Sequence, residues 1–444
     1  PVKKYAAAAA LFSIAAYLVI SGVVVAAERS FIMLGVMLIA VLFDRAALTM
    51  RNLAISAIAV IVVSPHEVVG PSFQMSFAAT AALVGAYAGW ADHRTGKARP
   101  PPPKRSLPGF LTRKFLALTG GVAMTSIIAG SATALFAIWH FQRVSPLSLF
   151  ANLAIMPIVS VVMFLAVVSA LTMPFGLDGP FLHLMGKGLT AMIAISAWIS
   201  ERSPVDAVGL ISQHSVLLVT IALVIATMAT TWLRLAALPF ALAGLLTVSD
   251  TRTPDVLISE DARLVAVPIG GGELAVSRAR PNEFTVDNWK RALVSETIVA
   301  PEMFDKADGQ FGIADAVNLP PGAPFYCTDG VCLARHPSGA IIAHVEDRKA
   351  TWKACGFADL IVVNDATGYD ACHNPLVLVV TRRQLARKGS AAVFFDRQSA
   401  TGPPIVSFAV DGPYRPWHAQ RKFSREARGL APYQKPEKKA VPAQ

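Results

Sequence analysis

Polar side chains interrupt the long apolar stretches in the first half of the chain. Two of them, Gln74 and Asn152, lie beside helix-disrupting residues. Gly70 and Pro71 precede Gln74, and Pro146 and Pro157 flank Asn152. Irregular backbone at membrane depth is tolerated where it is buried in protein or lines a wet cavity. The pattern therefore predicts side chains that hydrogen-bond along a polar path through a membrane.

The composition requires a bilayer around these residues. Of the 444 residues, 54% are hydrophobic and only 16% are charged, whereas a globular protein keeps roughly a quarter of its residues charged. The deficit belongs to residues 1–250, which hold 16 Lys and Arg and 8 Asp and Glu, against 24 and 21 in residues 251–444. This excludes a disordered chain and an ordinary soluble enzyme. It predicts an α-helical polytopic membrane domain, residues 1–250, followed by a soluble domain.

A bilayer core about 30 Å thick needs about 20 apolar residues in a helix. Two apolar stretches, 30–43 and 53–64, are too short to cross alone. The longer stretches are residues 5–27, 72–90, 115–139, 147–173, 181–200, 208–232 and 233–248. We predict six or seven spans.

The loop 92–114 sets the orientation. It carries seven Lys and Arg residues against one Asp, and short basic loops stay in the cytoplasm. Five later crossings then place the second half of the chain on the opposite side of the membrane.

Two motifs resemble the ComEC family of competence proteins. The stretch Gly70-Pro-Ser-Phe-Gln-Met-Ser-Phe77 is similar to the family's Phe-Gln-Leu-Ser-Phe hallmark, and Ser145-Pro-Leu-Ser-Leu-Phe-Ala-Asn-Leu-Ala-Ile-Met-Pro157 is similar to a later Ser-Pro, Asn-Leu and Pro pattern. The resemblance implies a multi-pass channel of the bacterial inner membrane that passes one DNA strand into the cytoplasm during natural transformation. Family members begin with further helices and a small β-barrel domain, so we expect Pro1 to be an internal start.

The implied partners are single-stranded DNA, the lipid bilayer and other proteins of the competence machinery; no cofactor is implied. A single strand needs a wet, polar path and aromatic faces on which its bases stack. The residues predicted for this path are Phe73, Gln74, Ser76, Phe77, Asn152 and Pro157, with Phe150 beside them. The alternative is that these side chains only pack against lipid or neighbouring helices.

The second half has short alternating or apolar runs that predict a mixed α/β, β-rich domain over residues 251–411. Its helix is expected to run from a Thr285 cap through Leu293. The predicted strands are 256–259, 263–269, 273–278, 331–335, 340–345, 360–363, 376–381, 391–395 and 405–410.

The resemblance implies a divergent metallo-β-lactamase-like domain in this half. That fold binds two metals through a His-x-His-x-Asp-His cluster, which this sequence lacks. Its His residues are isolated, and a lone His is more often structural than a ligand. We therefore predict no metal site, no catalytic residue and no hydrolytic activity. The isolated residues are His336, His344, His373 and His418.

All four cysteines lie in the half that the predicted orientation exports. An oxidising compartment favours disulfides. Among three possible connectivities we favour Cys327–Cys332, across the Thr328-Asp-Gly330 turn, and Cys355–Cys372. A structural zinc site is the alternative, although the gaps fit its usual spacing only partly.

Residues 412–444 carry eight Lys and Arg against two Glu and show little apolar periodicity. They predict a disordered basic tail that is either simply solvated or meets DNA or anionic lipid. Two other functions stay open for the whole chain. One is a membrane-anchored hydrolase or nuclease acting through the exported domain, and the other is a small-solute permease.

Overall fold

The computed structural model describes residues 2–22, 24–95, 107–203, 207–229, 231–303, 317–328, 330–395 and 403–433. These residues form two compact units that divide between Thr251 and Arg252. The division lies one residue beyond the predicted end of the membrane domain. Residues 96–106 of the basic loop 92–114 lie outside the described residues, and its two ends are helical.

The first unit is helical throughout. Five described segments are long and apolar enough to cross a membrane, namely Val2–Ile20, Val25–Leu42, Leu116–Phe141, Ser148–Phe175 and Gly179–Glu201. The helices are α1 (Val2–Ile20), α2 (Val25–Leu42), α3 (Met50–Val63), α4 (Pro71–Thr95), α5 (Leu107–Phe141), α6 (Ser148–Thr172), α7 (Gly179–Glu201), α8 (Gln213–Met228) and α9 (Ala237–Leu246). A short 3₁₀ helix, Pro65–Val69, precedes α4.

Several boundaries differ from the sequence prediction. The stretch 30–43, predicted to be too short to cross, belongs to the 18-residue candidate span α2. The stretch 5–27 is not one span, because α1 ends at Ile20 and Gly22 adopts a φ of 80°, which turns the chain before α2. Glycine adopts this left-handed conformation without strain. The stretch 233–248 is a 3₁₀ turn, Trp232–Ala236, followed by the 10-residue helix α9. A helix of that length rises about 15 Å, half the thickness of the bilayer core.

The second unit contains two six-stranded sheets. Their orders are β12-β11-β1-β2-β3-β4 and β10-β9-β8-β7-β6-β5. The strands are β1 (Val256–Ile258), β2 (Val265–Gly270), β3 (Glu273–Val276), β4 (Thr297–Val299), β5 (Glu302–Met303), β6 (Tyr326–Thr328), β7 (Val331–Arg335), β8 (Ile341–Val345), β9 (Leu360–Val363), β10 (Leu378–Thr381), β11 (Ala391–Phe394) and β12 (Ile405–Phe408).

The two sheets pack face to face over one apolar core. Ile258 and Val267 of the first sheet and Ile342 and Val362 of the second belong to the same fully buried cluster. Helix α10 (Glu283–Leu293) covers the outer face of the first sheet, and α11 (Arg348–Ala354) covers the outer face of the second. The unit therefore has four layers, helix, sheet, sheet and helix, which confirms the predicted mixed α/β, sheet-rich fold class.

Two local predictions in this unit are wrong. Helix α10 begins at Glu283 because the Asn282 side chain, not Thr285, caps it by accepting from the Thr285 amide. Residues 412–433, predicted as disordered tail, are ordered. Ala427 is fully buried, and its carbonyl oxygen lies 2.7 Å from Nε of Arg387, which donates to it. Residues 434–444 lie outside the described part of the chain.

Candidate functional site

The Phe-Gln-Met-Ser-Phe motif lies in the first two turns of α4, where the chain leaves the 3₁₀ helix. Pro71 opens α4, since its fixed φ suits a first helical turn and its missing N–H is not needed there. The Gln74 amide bonds back to the Gly70 carbonyl at 3.2 Å. The irregular backbone predicted beside Gln74 is this 3₁₀ segment, and the motif follows it directly.

The Gln74 side chain joins three elements. Its Nε2 donates to the Val68 carbonyl in the 3₁₀ helix at 3.2 Å, and its Oε1 lies 2.8 Å from Nε2 of His140 on α5. An amide oxygen only accepts, so the imidazole Nε2 carries the proton and donates. Gln74 therefore makes hydrogen bonds with both ends of its amide.

Helix register explains why His140 meets Gln74. Small residues four apart on α4, Ala78 and Ala82, are buried against Phe136 and Ala132 of α5. Positions four apart share one helix face. The same stripe continues to Gln74 on α4 and to His140 on α5, so the antiparallel packing of the two helices brings the polar pair together.

Close approach continues along α4 toward α8. A Cβ at Gly85 would lie 2.9 Å from the Thr227 carbonyl oxygen of α8, a distance that real side chains essentially never show. Gly85 thus lets two helix backbones approach within the first unit, as small residues do in membrane bundles. The register of α4, and with it the position of Gln74, is fixed at both ends.

The two motif phenylalanines stack on each other. The ring centroids of Phe73 and Phe77 lie 4.3 Å apart, and both side chains are half-buried. Ser76 lies between them, and its carbonyl accepts from the Thr80 hydroxyl at 2.8 Å. The motif thus presents two aromatic faces next to the Gln74 amide.

Ionisable side chains lie on and beside the same 3₁₀ helix. His66 Nε2 lies 3.6 Å from Glu67 Oε1, and Arg29 on α2 interacts electrostatically with Glu67. One guanidinium nitrogen of Arg29, Nη1, is buried and has no hydrogen-bond partner among the described residues. We call Arg29, His66, Glu67, Gln74 and His140 the polar cluster.

The second motif is placed differently. Asn152 and Pro157 are exposed on α6, and the helix runs unbroken through Pro157. Within the described part of the chain, no side-chain hydrogen bond joins Asn152 to the polar cluster. The break expected near Pro157 is therefore wrong, whereas Pro146 lies in the turn before α6.

Sequence reasoning missed His140 and Arg29. His140 ends an apolar helix and belongs to neither motif, and only the α4–α5 register brings it to Gln74. The spacing of His140, four residues after the buried Phe136, places both on one face of α5. The sequence does not show which helix packs against that face.

The four cysteines form the two disulfides that the sequence analysis favoured. Cys327 and Cys332 are register partners on β6 and β7, and Cys355 is joined to Cys372 beside the outer core under α11. No free cysteine occurs among the described residues.

The histidines of the second unit are held by the fold. His344 is fully buried, and burial lowers its pKa to about 4. Its Nε2 donates to the Ala262 carbonyl at 2.9 Å. His336 is also buried and lies over the Phe395 ring. In the described ranges, no group of three or more His, Cys, Asp or Glu side chains could hold a metal ion.

The first unit defines an integral membrane protein with several spans, followed in the chain by a sheet-rich unit. The family model described as Competence protein matches residues 1–235, more than half of the chain. The chain belongs to this family of competence proteins. No curated protein and no solved structure matches it.

Proposed function

We propose that the chain is an inner-membrane channel that passes single-stranded DNA into the cytoplasm during natural transformation. The observation that carries the proposal is the family match over the helical unit, which includes α4 and the polar cluster. A strand with one charge per nucleotide needs a polar route. The Gln74 amide, the stacked Phe73 and Phe77 rings and the nearby Arg29 are groups that such a route requires.

The polar cluster supports a gate better than an open pore. Gln74 is hydrogen-bonded through both ends of its amide to the 3₁₀ helix and to α5. Passage of DNA would exchange these bonds for bonds to the strand. We propose that Gln74 and His140 hold the path closed between uptake events, and that Ser76, Asn152 and Pro157 line it further along.

An uptake assay tests the proposal. The chain is expressed in a naturally transformable bacterium whose own homologue is deleted, and labelled DNA is followed into the periplasm and into the cytoplasm. We expect periplasmic capture without the chain and cytoplasmic arrival only with it. Cytoplasmic arrival that is the same with and without the chain would refute the proposal. Loss of periplasmic capture without the chain would assign the chain to an earlier step of uptake.

We further propose that the unit from Arg252 onward is periplasmic, with a divergent metallo-β-lactamase-like fold. The basic charge of the loop 92–114 supports a cytoplasmic position for that loop. The disulfides Cys327–Cys332 and Cys355–Cys372 support an oxidising compartment for the unit. Alkaline phosphatase fused at Ser338 should be active and fused at Pro101 inactive. The reverse pattern would invert the orientation.

A further inference from the structure

A cleft crosses one end of the second unit. Three cavities of about 930, 310 and 110 Å³ share lining residues: Arg263 and Arg278 join the largest to the smallest, and Arg382 joins the largest to the middle one. Their walls include the residues that follow the parallel strands β8 and β9, Glu346 and Asn364. Ligands in open α/β sheets bind outside the carboxyl ends of such strands.

The cleft has an excess of cationic groups at its largest cavity. Four arginines line it, Arg263, Arg278, Arg280 and Arg382, with three carboxylates among them.

Each carboxylate is already engaged. Glu260 lies 3.2 Å from Nη1 of Arg421, and Glu426 lies 3.5 Å from Nη2 of Arg382. Asp261 accepts from the Ser259 hydroxyl at 2.6 Å.

Two arginines are left over. Arg278 and Arg280 lie in the exposed loop between β3 and α10, and neither has a carboxylate partner among the described residues. Guanidinium groups bind phosphate oxygens through paired N–H donors. This loop therefore offers phosphate two exposed guanidinium groups that line the same cavity.

Buried polar atoms in the cleft also lack partners. Nε of Arg382, Oγ1 of Thr328 and Oδ1 of Asn364 are buried without a hydrogen bond within the described residues, and all three residues line the cleft. Buried polar groups are nearly always satisfied by protein, water or ligand. These unsatisfied atoms indicate a site where a polar ligand could bind.

An aromatic face lies next to the free arginines. Phe284, in the first turn of α10, is 78% exposed and lines the largest cavity, four residues after Arg280. A large exposed ring beside cationic groups suits a nucleobase, which stacks on aromatic side chains while its phosphate is held by cations. Glu346 and Asp365 line the middle cavity, and Glu346 also lines the smallest one together with Arg278, so phosphate is expected in the largest cavity.

We propose that this cleft binds a single strand of DNA without sequence preference, with phosphates on Arg278 and Arg280 and a base on Phe284. The inference rests on the proposed function and names a second DNA contact, outside the membrane unit. It requires no metal and no bond cleavage. The cleft holds the strand; it does not cut it.

Binding to the full chain tests the inference. The protein is placed in phosphatidylcholine nanodiscs, and the anisotropy of fluorescein-labelled (dT)12 is measured from 50 to 200 mM salt. We expect the double variant Arg278→Gln/Arg280→Gln to bind at least tenfold more weakly. The slope of log affinity against log salt should shrink by about 1.4, since each lost phosphate contact on a single strand removes about 0.7.

Two further variants separate stacking from charge. Phe284→Ser should weaken binding at least fivefold and leave the salt slope unchanged, because stacking releases no counterions. Lys349→Gln/Lys353→Gln removes two positive charges from α11, on the other outer face of the unit, and should change affinity less than twofold. Resistance to proteolysis in every variant verifies folding, which the exposure of Arg278, Arg280 and Phe284 favours.

Three results would overturn the inference. The first is no binding of (dT)12 by the wild-type chain, and the second is equal losses in the arginine and lysine variants. The third is competition by inorganic phosphate or thymidine monophosphate as strong as that by (dT)12, which would make the cleft an anion site only. Each leaves the channel proposal standing, because that proposal is decided by arrival of DNA in the cytoplasm.

Discussion

The two units of the chain bury apolar residues in opposite ways. In the five candidate spans of the first unit, at most 17% of the residues in the most apolar window are buried within the protein. In the second unit, strands such as β8 and β9 are buried along their whole length. The helices of the first unit therefore depend on lipid to cover their apolar surface, whereas the second unit makes its own core.

The polar residues follow the same division. Gln74 and His140 of the first unit meet at a helix contact, where a lost bond alters packing. Arg278 and Arg280 of the second unit are exposed at the cleft. The two proposals assign passage of the DNA to the first unit and holding of the DNA to the second.

The largest expected change in stability comes from truncating a core residue of the second unit, and the matched control is a lipid-facing residue of the first. Leu360→Ala removes a fully buried side chain from the core between the sheets and should lower the free energy of unfolding of the second unit by about 2–5 kcal/mol. The matched change Leu171→Ala, at a position 69% exposed on α6, should cost about 0.5 kcal/mol or less. Pulse proteolysis of the full chain in urea measures both. Equal losses of stability in the two variants would contradict the difference in apolar burial between the units.

The two disulfides should stabilise the second unit by different amounts. Replacing Cys355 and Cys372 by Ser opens a link with a sequence separation of 17 and should cost about 3 kcal/mol. The same change at Cys327 and Cys332, with a separation of 5, should cost about 2 kcal/mol. Urea midpoints provide the measurement. Four alkylatable thiols in unreduced, denatured protein would contradict both values.

Acid should destabilise the second unit through His344. Burial lowers the pKa of this histidine to about 4, below its usual value near 6.5, so the unfolded chain binds the extra proton first as the pH falls. The contribution of His344 is complete above about pH 6.5. Between pH 6.5 and 4 the unit should lose up to about 3 kcal/mol.

His344→Gln is the control for this titration. Glutamine can still donate to the Ala262 carbonyl but does not titrate, so the variant should lack most of the acid-induced loss. The free energy of unfolding is measured against pH for both proteins. Identical pH profiles would assign the loss to other groups.

The smallest expected change in stability concerns the helix contact. Gln74→Leu removes the bonds to Val68 and His140 and should lower stability by about 1 kcal/mol, the range measured for hydrogen bonds in membranes. If the Gln74 amide also bonds to the passing strand, its loss should lower DNA arrival in the cytoplasm at least tenfold at normal protein abundance. Thermal stability and uptake are measured together.

Asn152→Leu is the matched change. Asn152 is exposed and makes no described contact with the polar cluster, so its loss should leave thermal stability unchanged. Any fall in uptake would then report on the path alone. Uptake that falls only in proportion to abundance in the Gln74 variant would assign Gln74 to packing.

The sequence predicts what depends on local pattern. Strand β9 occurs at 360–363 as expected, because a continuous apolar run between turns is typical of a buried strand. Strands β4 and β6 were missed, since three residues are too few to show a period. The order in segment 412–433 was missed because its one fully buried residue, Ala427, is small and part of no pattern.

Only part of the polar cluster in the first unit could be predicted from the sequence, for a similar reason. The motif on α4 is visible in the sequence, but His140 is 66 residues away and joins Gln74 only through helix packing. The cleft of the second unit is lined by segments that lie far apart in the chain, from Ser259 to Pro432, and no single segment has a nucleic-acid motif. Long-range register, which local spacing does not specify, decides both sites.

Photocrosslinking of the incoming strand tests the central claim most directly. A benzophenone amino acid is placed at Phe77, beside Phe73, or at Phe164, a control position 67% exposed on α6. Cells that still take up DNA are irradiated during uptake. The account predicts that single-stranded DNA crosslinks at position 77 and does not crosslink at position 164. Uptake without a crosslink at 77, or with equal crosslinks at both positions, would contradict a DNA path along the α4 motif.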